Sequence, residues 1–173
     1  MIKNECNGEN RGSSGLILTK MKNHFFMSFS MLEKMIDHCP DDLWNVKAGG
    51  FVFWQQIIHA LTGSKFWMRK PGSAFEEPFA ERNVYPELEQ DPEGLVSKDE
   101  MREYMDHVKL LCIEFFDGKD DEWLLSPAGI YDKITNLDIV LMQIRHLQYH
   151  VGHCNSILRD RNLEAVDWID MFE

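Results

Sequence analysis

Residues 51–68 are so apolar that no single face of a helix accommodates them. Phe51, Phe53, Trp54, Ile57, Ile58, Leu61, Phe66, Trp67 and Met68 fall on several sides of a 3.6-residue helix, so most of its circumference must be buried. Such a segment needs neighbours all round. Three further segments supply them, each with apolar positions recurring at steps of three and four. Residues 19–39 align Met21, Phe25, Phe29, Leu32, Met35 and Ile36 in one stripe and stop at Pro40. The next begins at Ser97, which forms an S-x-x-E capping box with Glu100. It continues through Met101, Tyr104, Met105, Val108, Leu111, Cys112 and Phe115 and stops near Gly118. The last takes Thr135 as its N-cap and carries Leu137, Val140, Ile144, Leu147, Val151, Cys154 and Leu158 to Arg161. The pattern predicts an all-α fold of four helices around one core.

The connections refine this picture. Residues 71–96 contain Pro78, Pro86 and Pro92 after Pro71, several acids and no period. Antiparallel helix turns need only about 2–8 residues, so this length predicts a crossover that lets the second and third helices run parallel. Residues 117–134, with Trp123 and Pro127, form the other sizeable connection, and residues 165–173 carry Trp168 and Phe172 on an acidic background, able to pack back or to meet a partner. A polar tail over residues 1–18 is expected ahead of a single domain at 19–173. The tail lacks the apolar centre of a signal peptide, and no stretch reaches the roughly 18 uninterrupted apolar residues of a membrane span. No internal repeat is visible.

Composition narrows the function. With 18 basic and 29 acidic side chains the net charge is −11, which repels phosphate backbones and argues against nucleic-acid binding. Cys6, Cys39, Cys112 and Cys154 are scattered, with no Cys-x-x-Cys pair, as suits a reducing, cytoplasmic setting. Phosphate loops, Gly-x-Ser-x-Gly elbows and dinucleotide fingerprints are missing from the sequence.

The histidines offer more. His146 and His150 are four residues apart on the last helix and share a face. With Gln143 and His153 they form a stripe one step around from the apolar one, pointing into a cleft between helices where neutral imidazoles suit a borderline metal. His59, set among Ile57, Ile58, Ala60 and Leu61, is the candidate third ligand from the second helix, because burial requires something to engage its ring nitrogens. Two other readings stand beside this one: a solvated histidine face, and a hydrogen-bonded core histidine at 59. A single-helix site of His146, His150 and Cys154 ranks lower, since three successive turns do not converge on one tetrahedral centre and Cys154 continues the apolar stripe. His24, His38 and His107 lack spaced partners and read as surface residues. Asp41-Asp42, Glu76-Glu77 and Asp120-Asp121-Glu122 read as solvated caps. Phe53, Trp54, Phe66 and Trp67 read as core, with one or two available to wall a ligand pocket.

These features together resemble the DinB-like superfamily of damage-inducible and thiol-transferase proteins, over nearly all the chain after the tail. A helix-two histidine followed by an aromatic corresponds to Ile58-His59-Ala60 and Phe66-Trp67. A last helix with His, His four residues on, then Gly and Arg corresponds to His146, His150, Gly152 and Arg159. The resemblance implies an up-down-down-up four-helix bundle with a long crossover between helices two and three. It implies a divalent metal, zinc or nickel, on His59, His146 and His150, and a homodimer. It further implies a small-molecule substrate and a metal-dependent S-transferase or isomerase using a low-molecular-weight thiol such as bacillithiol or mycothiol. The alternative is a non-catalytic, stress-related metal-binding or partner-binding bundle. Family members often carry His-His-Arg-Gly-Gln where this chain has Tyr149-His150-Val151-Gly152-His153, so a different substrate is expected and His153 is expected to face solvent.

Overall fold

The computed structural model describes residues 15–170. Most of the expected tail, Cys6 and Phe172 lie outside the described residues. The first stripe folds as α1 (Leu16–His38), starting earlier than its periodicity predicts. Asp121 accounts for the difference. Its carboxylate accepts the backbone N–H of Ile17 at 3.2 Å and of Leu18 at 2.7 Å, satisfying donors that a helix start leaves without partners. Those bonds hold the Asp121 carboxyl below the usual carboxylate range. Pro40 closes α1 and precedes the single turn α2 (Asp41–Trp44). A hairpin of β1 (Lys47–Ala48) and β2 (Phe51–Val52) follows. Gly49 and Gly50 turn it with φ of 63° and 99°, the positive pair that a tight two-residue hairpin requires. Phe51 and Val52 are therefore strand, and the apolar helix α3 spans Phe53–Trp67.

The second half is α4 (Lys98–Phe116), α5 (Asp121–Leu125), β3 (Pro127–Ala128) paired with β4 (Tyr131–Thr135), and α6 (Asn136–Asp160). Both expected N-caps form. Ser97 accepts the Glu100 N–H at 3.2 Å while Glu100 accepts the Ser97 N–H at 2.9 Å. Thr135 makes the same reciprocal box with Asp138, at 3.3 and 2.8 Å. Helix α5 and its hairpin are not expected within residues 117–134, because a one-turn helix and strands of two and five residues, the longer one mostly exposed, are too short to show a period. Their presence reveals an order invisible in the sequence. Long helix, short helix, hairpin and long helix occur once as α1-α2-β1-β2-α3 and again as α4-α5-β3-β4-α6.

The protein is mostly helical. Helix α1 packs against α4 and α6, and α3 packs against the same two. Trp54, Ile57, Ile58 and Leu61 of α3 are fully buried, as the absence of a polar face demanded. Phe25 stacks near Phe29 and Phe116 with ring centroids 6.0 and 5.7 Å away. Cys39, Cys112 and Cys154 are free and buried, and burial pushes all three thiols up, Cys39 to about 12. Cys154 is thus core and no ligand. Past α6, Asn155 holds the backbone of Val166 through two bonds of 2.8 and 3.0 Å, while Trp168 stays 68% exposed. Among the described residues no helix is long and apolar enough to cross a membrane.

Residues 71–96 contain one short 3-10 turn, Ala80–Arg82. Buried contacts tie the segment down. The Trp44 indole N–H donates to the Val96 carbonyl at 2.7 Å. From α3, the Gln55 amide donates to the carbonyls of Tyr85 at 3.0 Å and Gln90 at 2.8 Å. Tyr85 and Leu88 are held at φ of 47° and 65°, a left-handed conformation that costs a non-glycine residue energy and persists only where the surroundings impose it.

Candidate metal centre

Helices α3 and α6 pack together, and His59 of α3 meets the His146/His150 face of α6. Ring centroids lie 4.9 Å apart for His59 and His146, 4.7 Å for His59 and His150, and 4.8 Å for His146 and His150. The triangle is nearly equilateral. One candidate ligand atom from each ring lies within 4.8 Å of the others. Three imidazoles on a tetrahedral ion with bonds of about 2.0–2.1 Å have centroids about 5 Å apart, so these rings fit such an ion with small adjustments.

Each ring is held differently. His59 Nδ1–H donates to the Pro86 carbonyl at 2.6 Å. His150 Nδ1–H donates to the buried Gln56 side-chain oxygen at 2.7 Å. Both bonds fix the tautomer and leave Nε2 as the acceptor nitrogen, which is what a partner behind a metal-binding histidine does. His146 is positioned by contact. Gly63 faces it so closely that a Cβ there would lie 2.6 Å from His146 Cε1 and 2.8 Å from Nδ1. One turn earlier, Gln143 accepts the Ser64 hydroxyl at 3.3 Å. The expected polar stripe of α6 therefore does face a helix, and its members meet Ser64, Gly63 and Gln56 in turn.

Electrostatics keep the rings uncharged. Burial drives His150 down to about 3, with further lowering from the positive charge that His59, His146 or His153 would bring. Burial and then His59 take His146 to about 4. His59 is lowered by burial, opposed by its bond to Pro86 and by the nearby Glu87 carboxylate. At neutral pH the three clustered imidazoles are therefore uncharged. Glu87 also raises the carboxyl of the neighbouring Glu77, through a side-chain hydrogen bond and its like charge.

Other histidines behave variously. His24, His38 and His107 are exposed and stand apart from the cluster, as their spacing predicted. His153 does not simply face solvent. It is half-buried against Gly49 of the β1–β2 hairpin, where no side chain fits between them. Of the α3 aromatics, Phe53 and Trp54 are core, whereas Phe66 packs edge-on against Trp67 and Phe75. Sequence reasoning missed Gln56, Gly63 and Pro86. The first two were within reach, since Gln56 is three residues before His59 and Gly63 four after it, on the same helical face. No family model, no curated protein and no solved structure matches this chain.

Proposed function

We propose that this chain is a metal-dependent small-molecule enzyme built on a DinB-like four-helix bundle, with α1, α3, α4 and α6 running up-down-down-up and residues 71–96 as the crossover. His59, His146 and His150 are its ligands and zinc or nickel its ion. The observation that carries the reading is the convergence of three neutral imidazoles from two helices, two of them with Nδ1 already committed to Pro86 and Gln56. An ion held there by three uncharged nitrogens would keep its full charge and would supply Lewis acidity toward a low-molecular-weight thiol. The chain's own residues hold His59 and His150 in one tautomer through Pro86 and Gln56, and burial keeps all three rings uncharged. An S-transferase or isomerase acting in the cytoplasm, as a homodimer, follows from the same reading.

The test begins with metal content. Purified chain reconstituted with zinc or nickel is expected to hold one equivalent, lost in His59→Ala and in His150→Ala. With cobalt in its place, addition of a small thiol is expected to produce a sulfur-to-cobalt absorption band. A wild-type chain that stays metal-free after exposure to these ions removes the proposal. The exposed Trp168 on an acidic chain favours a second, non-catalytic reading in which the bundle binds a partner. Under that reading metal raises the melting temperature while thiol addition leaves the cobalt spectrum unchanged.

A further inference from the structure

A cavity of about 680 Å³ lies between the end of α3, the start of α6, the outer turns of α4 and the β3–β4 hairpin, and none of the three clustered histidines lines it. Its volume is that of a small-molecule site. Trp67, Phe75, Phe115 and Trp123 supply aromatic walls, with Leu111 and Ile139 between them. Gly129 of the hairpin abuts Pro71 with no room for a Cβ, so the wall is closed by direct packing.

The charges around this cavity run against the rest of the chain. The protein carries −11, yet Lys65, Arg69, Lys70 and Lys119 line the cavity against only Glu76 and Glu114. Lys70 is paired with Glu114 at 3.0 Å. Among the described residues no carboxylate lies within ion-pair distance of the other three; each lies near an aromatic ring, and Lys65 Nζ also donates to the Glu76 backbone carbonyl at 2.7 Å. The Arg69 guanidinium is 4.1 Å from the Phe66 centroid, Lys65 Nζ 5.5 Å from Phe75 and Lys119 Nζ 5.9 Å from Trp123. Arg69 donates from Nη1 to the Phe66 carbonyl, and its buried Nε–H has no acceptor. A guanidinium so placed has donor capacity left for an anion. Burial lowers Lys65, and the charge of the neighbouring Glu76 opposes that shift.

We propose that this cavity is a second ligand site, separate from the histidine cluster, which takes a small aromatic monocarboxylate. The ring lies among the aromatic walls and the carboxylate is drawn to Arg69, Lys65 and Lys119. Apolar walls disfavour a strongly hydrated phosphate, and Glu76 and Glu114 disfavour a second negative charge.

Calorimetric titration of the full chain with 2-naphthoate and with naphthalene-2-carboxamide, the same rings without the charge, tests this. One naphthoate is expected to bind per chain, at least about tenfold more tightly than the amide, as a charge-assisted hydrogen bond warrants. Arg69→Met is expected to remove that preference and leave amide binding unchanged. Leu111→Trp, which fills the cavity, is expected to lose both ligands, and Ile130→Trp from the hairpin replaces it if the first variant melts early. Chelation with EDTA and His150→Ala are expected to change nothing. Absent naphthoate binding, equal affinity for the amide, or binding that survives both tryptophans overturns the proposal. Loss of binding on chelation also overturns it, by moving the ligand to the histidines. The metal proposal is untouched by any of the first three results.

Discussion

Gly63 offers the sharpest test of the centre, because an alanine there strikes one imidazole and little else. The added Cβ would lie 2.6 Å from His146 Cε1, whereas carbon atoms rest at about 3.5–4.0 Å, so the ring must retreat by about 1 Å. Metal–nitrogen bonds tolerate deviations of only about 0.2 Å. Gly63→Ala therefore removes His146 from the ligand set while His59 keeps Pro86 and His150 keeps Gln56. Loss of an outer-shell partner alone costs about 10–100-fold in metal affinity, so loss of a ligand should cost at least about 100-fold. The backbone pulls the other way, since alanine in a helix interior is about 0.8–1.0 kcal/mol better than glycine. In a His146→Ala background the clash is absent, and Gly63→Ala should raise the stability of metal-free protein by about that amount. In the wild-type background the gain should be cancelled. Zinc titration against a competing chelator measures the first effect and urea denaturation of metal-free protein the second. Full metal affinity in Gly63→Ala would refute the role of His146, and equal stability increments in the two backgrounds would refute its contact with Gly63.

The pH dependence of the metal-free protein has a definite sign. His146 and His150 are lowered to about 4 and about 3, so below pH 6.5 the unfolded chain takes up protons that the fold refuses, and stability present above 6.5 is lost as pH falls. Melting curves should show a loss on the order of 2–4 kcal/mol between pH 7 and pH 5, much reduced in a His146→Ala/His150→Ala double variant. Gln56→Leu removes the acceptor of His150 Nδ1–H and should weaken zinc binding about 10–100-fold, read by chelator competition, while Gln56→Glu retains most of it. Thr135→Ala breaks the box that starts α6 and should cost about 1 kcal/mol in urea denaturation with zinc stoichiometry unchanged.

The long elements were legible because burial writes itself into residue spacing. Phe25, Phe29, Leu32, Met35 and Ile36 lie in the core, as their steps of three and four require. Ser97 and Thr135 cap helices because an unpaired N–H at a helix start must find an oxygen, a need that local sequence can meet. Interactions that join distant residues left weaker traces. Asp121 caps α1 from 103 residues away, and nothing near Leu18 announces it. The duplicated order of elements is hidden for a related reason: strands of two to five residues and one-turn helices hold too few positions for a period, so the halves share an arrangement without sharing a pattern.

The histidine centre shows the same division within a single site. His146 and His150 declare themselves by spacing on one helix, whereas the groups that orient the rings come from backbone and from buried amides. A carbonyl such as that of Pro86 belongs to every residue type and so leaves no signature. What does leave one is Gln55-Gln56, two adjacent amides inside a helix otherwise almost wholly apolar, both fully buried. Each of these amides uses one polar end: the Gln56 oxygen orients His150, while the Gln55 nitrogen grips Tyr85 and Gln90 on either side of Pro86. The crossover segment, unreadable by periodicity, is thereby fastened to α3 at the turn that delivers the Pro86 carbonyl to His59. The strained φ of Tyr85 and Leu88 brackets that carbonyl. Two neighbouring glutamines thus set two of the three imidazoles, one directly and one through the loop.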